Sequence, residues 1–97
     1  MRIARVTGHV VATVRSPQMR MDKLCLVEMV DQNGKAGSDV HIAMDQLGAG
    51  VGEWVMVVSG SSARRAYGDA ADLSPVDLCV VGIIDEVTAN GERCYTK

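Results

Sequence analysis

The chain has 97 residues, 47% of them hydrophobic, a formal net charge of −2, and three aromatic side chains: one Trp and two Tyr. That length holds a single domain, residues 1–97, and its charge offers no electrostatic footprint for a phosphate backbone. Nothing approaches the length of a membrane span, and Thr7, Gly8, His9 and Thr13 interrupt the apolar N-terminal run that an export signal would need.

From Val6 to Val14 the even positions are Val, Gly, Val, Ala and Val, while Thr7, His9 and Thr13 fall between them. This two-residue period predicts a half-buried strand, ended by Ser16-Pro17. Leu24 to Val30 is apolar except for Glu28 and predicts a strand covered on both sides. Asp31-Gln-Asn-Gly34 is a turn signal, with Asn33-Gly34 suited to positive φ. Val40, Ile42 and Met44 then alternate with Asp39, His41 and Ala43 in a third strand. After a glycine loop, Glu53–Ser59 forms a fourth, apolar on both faces. Ser61 or Ser62 caps a short helix to about Tyr67, and residues 69–75 are a connection. Val76–Val87 supplies the fifth strand, and Asn90-Gly91 turns the chain into a short returning tail.

Five strands of this length must close into a barrel or pack as a sandwich, because open edges and two wet faces are not tolerated. The expected fold is all-β: a small five-stranded OB-like β-barrel with one short helix and a C-terminal β-hairpin tail. The aliphatic content is high for so small a core, which favours covering part of it with further copies of the chain.

No catalytic, cofactor or metal site emerges. Gly48-Ala-Gly-Val-Gly52 has the wrong glycine spacing for a dinucleotide loop and is followed by a strand, where a helix would be needed. Ser61 and Ser62 lack a nucleophile elbow, and His9 and His41 occupy polar strand positions without metal-ligand spacing. Cys25, Cys79 and Cys94 are widely separated and read as reduced thiols, two of them in apolar runs. The competing functions are an OB-like nucleic-acid-binding protein, disfavoured by acidity and the scarcity of stacking side chains, and a small ligand-binding domain, disfavoured by the lack of a paired acid/base set.

Several segments taken in order carry a resemblance: Gly8-His-Val-Val-Ala-Thr13, Leu24-Cys-Leu-Val27, Asp45-Gln-Leu-Gly-Ala-Gly-Val-Gly-Glu53, Gly60-Ser-Ser-Ala-Arg64 and Pro75-Val-Asp-Leu-Cys-Val-Val-Gly-Ile-Ile-Asp85. Together they resemble the EutN/CcmL family, the vertex proteins of bacterial microcompartment shells, from Ile3 to about Val87. Arg15 departs from the pattern, standing where Lys is more frequent. The resemblance implies a homopentamer at the five-fold vertices of a cytoplasmic shell whose flat facets are hexameric shell proteins. Five-fold positions are what closes a shell of hexagonal tiles. It implies no enzyme activity, no cofactor, and no nucleic-acid or membrane partner, and a catabolic compartment is favoured over a carboxysome.

Within that frame the loop Gly48, Ala49, Gly50, Val51 and Gly52 is expected to border the symmetry axis, although a tight turn explains the same glycines. Ser61, Ser62 and Arg64 are expected at a subunit boundary. The forked donors of Arg64 suit it to pairing there, with a solvated helix position as the alternative. Tyr95 is expected to act in assembly through the tail, the alternative being a flexible C-terminus.

Overall fold

A computed structural model of the chain describes residues 1–68 and 74–97. Five strands, β1 (Arg2–Val10), β2 (Lys23–Val30), β3 (Ala36–Asp45), β4 (Trp54–Ser59) and β5 (Leu78–Ile83), close into a barrel in the order β1-β2-β3-β5-β4. Helix α1 (Gly60–Tyr67) links β4 towards β5, and β6 (Glu86–Ala89) with β7 (Glu92–Thr96) forms a separate two-stranded hairpin. The expected all-β barrel with one helix and a hairpin tail is the observed architecture. The expected connection at residues 69–75 lies mostly outside the described residues.

Strands apolar on both faces are explained by two cores. Ala4, Val6, Cys25, Val27, Ala43, Val55, Val57 and Val80 fill the barrel. Leu24, Met44 and Cys79, each next in sequence to one of those, point outward and pack with Val76 beneath α1. The helix covers them with Ala63 and Tyr67, which are buried and one turn apart. Burial of the Cys25 thiol pushes its pKa up to about 11, and burial raises that of Cys79 too.

Three local expectations are corrected. The first strand stops at Val10, whose partner Leu24 is next to the first residue of β2; Val14 lies beyond the ladder and is exposed. The helix begins at Gly60 because β4 runs straight into it. Ser59 is therefore the N-cap residue, and Ser61 and Ser62 sit exposed in the first turn instead of capping it. The fifth strand ends at Ile83, and Val87 belongs to the hairpin. Asn90 and Gly91 both adopt positive φ, 54° and 77°, as a two-residue hairpin turn requires. In the turn between β2 and β3 only Gly34 has positive φ. Asp31 Oδ1 accepts the N–H groups of Asn33 and Lys35 there.

Closure of the barrel is uneven. β3 pairs with β2 along its length but with β5 only through Met44↔Cys79 and Asp45↔Val80. The alternation of Val40, Ile42 and Met44 is real, yet only Met44 is buried; Val40 and Ile42 lie where β3 has outrun β5.

Candidate assembly surface

The loop between β3 and β4 is built from a buried carboxylate. Asp45 Oδ1 accepts the N–H groups of Leu47 and Gly48, both at 3.0 Å, and Oδ2 accepts that of Ala49 at 2.7 Å. Asp45 is 2% exposed, so these bonds replace its lost hydration. Ala49 is fully buried and plugs one end of the barrel core. Lys23 Nζ donates to the Ala49 carbonyl at 3.1 Å. Gly48 and Gly52 have φ of 82° and 91°, so the tight-turn reading explains these two glycines. Gly50 has no such φ, and its N–H donates to Glu53 Oε1 at 2.6 Å. Apolar Leu47 and Val51 face outward from the loop.

Glu53 joins this loop to the tail. Its second oxygen, Oε2, pairs with Lys97 Nζ at 2.9 Å, and the Lys97 N–H donates to the Asp85 carbonyl. Beside this pair the Tyr95 ring stacks on Trp54, and the Trp54 N–H donates to the Tyr95 hydroxyl at 3.4 Å. Lys97 and the Gly50 N–H hold the Glu53 carboxyl below its usual pKa range, and Glu53 holds Lys97 above its own. Of the residues singled out from sequence, the structure therefore brings the glycine loop and Tyr95 together. Ser61, Ser62 and Arg64 lie beyond the other end of β4, a strand of about 20 Å at 3.3 Å per residue. Arg64 is half-buried on α1, whereas Arg65 is exposed.

Three arginines to which the sequence reading gave no structural role tie the loops together. Arg15 donates to the carbonyls of Ala12 (2.6 Å), Arg20 and Asp22 (both 2.8 Å), fixing the β1–β2 loop. A lysine supplies one nitrogen where this site uses two. Arg20 lies over the Tyr67 ring, 4.0 Å from its centroid, and donates to the Tyr67 carbonyl, tying the same loop to α1. Arg5 pairs with Glu28 through Nε (2.9 Å) and Nη2 (2.5 Å) and donates to the Gly34 carbonyl. The Glu28 that interrupts an apolar run was the sequence signal for this pair. Asp45 was hidden by its likeness to other loop aspartates.

Among the described residues no three His, Cys, Asp or Glu side chains converge as metal ligands, and no helix is long and apolar enough to cross a membrane. Trp54 and Tyr95 stack on one another, and both Trp54 and Tyr67 are buried.

The family model described as ethanolamine utilisation protein EutN/carboxysome matches residues 1–85. The chain belongs to the EutN/CcmL family. It is 52% identical over 97 residues to the bacterial microcompartment shell vertex protein EutN of Salmonella typhimurium, covering 100% of this chain and 96% of the relative. The solved structure of an ethanolamine utilization protein, EutN, superposes with a TM-score of 0.92 at 49% identity, covering 100% of this chain and 99% of that one. The GrpN pentameric microcompartment shell protein from Rhodospirillum rubrum superposes with a TM-score of 0.80 at 34% identity, covering 92% of this chain and 99% of that one. The vertex-protein reading of the sequence is borne out: this is a shell vertex protein of the EutN/CcmL type.

Proposed function

We propose that residues 1–97 act as one domain that assembles into a homopentamer at the five-fold positions of a microcompartment shell, seated among hexameric shell proteins. The likeness to a pentameric shell protein over nearly the whole chain is the observation that carries this reading. The chain works by shape and contact, with no catalytic step. The loop from Gly48 to Gly52 borders the axis, presenting Val51 outward while Asp45 and Glu53 hold its backbone from within. Ser61, Ser62 and Arg64 on α1 lie at a subunit boundary, and Tyr95 serves the boundary by fixing the hairpin against Trp54. The higher identity is to an ethanolamine-type relative, which supports a catabolic compartment. Native mass spectrometry tests the reading: five copies of a 10.3 kDa chain give a species of about 52 kDa. A stable monomer at micromolar concentration would overturn it.

A further inference from the structure

The upper part of β3 is an unfinished edge. Ala36 and residues 40–43 pair with β2 on one side, and on the other, among the described residues, β5 meets β3 only at Met44 and Asp45. A strand edge without a neighbour is a template for another chain. Beside it runs a groove of about 510 Å3, its apolar side formed by Met29, Val40, Ile42, Val57 and Leu78 and its polar side by Arg2, His41, Ser59 and Asp77. Val40 is 62% exposed and Ile42 52%, two branched side chains on one face of β3. The groove continues past Ile42 and Leu78 into a second depression lined by Met19, Met44 and Val76. Isolated exposed aliphatics are ordinary; a pair that borders both an open edge and a groove of mixed polarity marks an interaction surface.

We infer that this edge and groove form the acceptor face for a second copy of the chain, one half of a head-to-tail contact between neighbouring subunits. The inference rests on the pentamer reading above and adds to it the surface involved. A closed five-membered ring cannot use one self-complementary patch; it needs two different surfaces on each subunit. The groove is one, and exposed Val11 and Val14 in the β1–β2 loop and Leu47 and Val51 in the glycine loop lie outside its lining. Its lining sets Arg2 and the Met1 amino group against Asp77, with His41 beside them, so it holds no run of one sign for a polyanion or a basic segment. Its open edge matches the backbone of another folded chain.

The test compares the wild-type chain with Val40→Lys and Ile42→Glu by native mass spectrometry at equal concentration, with far-ultraviolet circular dichroism as the check on folding. Both positions are exposed in the isolated chain, so the substitutions leave the barrel folded. Each is expected to lower the pentamer fraction about tenfold or more, as an unpaired charge in a buried contact does. Folded variants that remain pentameric would overturn the inference while leaving the pentamer standing, the groove then facing a different shell protein. A monomeric wild type would overturn both. Should a variant fail to fold, hydrogen exchange on the wild-type chain decides. Amides of residues 36–43 more protected in the pentamer than after dilution to monomer support the acceptor face, and equal protection refutes it.

Discussion

The Tyr95 ring lies 4.2 Å from that of Trp54, with 15° between the two planes, and so fastens the last strand to the start of β4. The tail is anchored within its own chain by this stack and by the Lys97–Glu53 pair. Tyr95→Ala is expected to cost about 1–2 kcal/mol, from the aromatic pair and the partial burial it provides. Trp54 is the sole tryptophan, so its fluorescence reports the change directly. Tyr95→Phe keeps the stack and should behave nearly as wild type; equal losses in both would place the effect in the hydroxyl.

Asp45→Asn keeps the volume but loses the charge and one acceptor oxygen facing three loop amides. The expected cost is about 2–3 kcal/mol, the range for hydrogen bonds to a charged group left partly unmade. Urea unfolding with an unchanged slope would show that this is a loss of stability alone.

Gly34→Ala and Gly82→Ala separate two kinds of crowding. A Cβ at Gly34 meets Trp54 Cζ2 at 2.8 Å, and φ there is +83°. Trp54 is buried and backed by Tyr95, so it has little room to yield. A Cβ at Gly82 meets the Met56 side chain, crowding only its terminal methyl while Cβ and Sδ lie at an ordinary 3.9 Å, and that side chain is flexible and partly exposed. Gly34→Ala should cost about 2 kcal/mol or more, and Gly82→Ala well under half as much, as thermal unfolding will show.

The Glu53–Lys97 link sets a pH window. Glu53 titrates below its ordinary value, so its contribution is present above an unfolded pKa of about 4.3 and is lost as pH falls through the lower folded value. Lys97 titrates above its ordinary value, so its contribution is present below an unfolded pKa of about 10.4 and is lost as pH rises through the higher folded one. The tail should therefore be held most firmly at neutral pH. Acid titration of Trp54 fluorescence should show a step that Glu53→Gln removes; a step that persists in the variant would assign it to another group.

Arg64→Ala should weaken the pentamer more than Arg65→Ala, since Arg64 is half-buried on α1 and Arg65 exposed. Sedimentation across a concentration series reads the difference. Equal and negligible effects would remove Arg64 from the boundary.

Much of the fold was legible because the strands announce themselves through apolar runs and glycine or asparagine turns. Asn90-Gly91 in particular predicted its hairpin directly. What stayed hidden depended on partners distant in sequence. Periodicity grouped Val40 and Ile42 with Met44, but which of them is buried depends on how far β5 extends alongside β3. Nothing local distinguishes Asp45 from an exposed loop aspartate, because its partners are backbone amides created by the loop itself. The Trp54–Tyr95 stack spans 41 residues and joins two segments that looked unrelated. For the loop residues the sequence conveyed glycine's freedom at 48 and 52, and not the carboxylates that make use of it.

The buried Asp45 carboxylate has a consequence for how this loop diversifies. Because the path of the backbone is dictated from inside the barrel, the outward side chains of Gln46, Leu47 and Val51 carry little of the folding burden. Exchanging them alters the polarity and bulk of the loop's rim without redrawing its course. Contour and chemical character are thereby separately heritable in this loop.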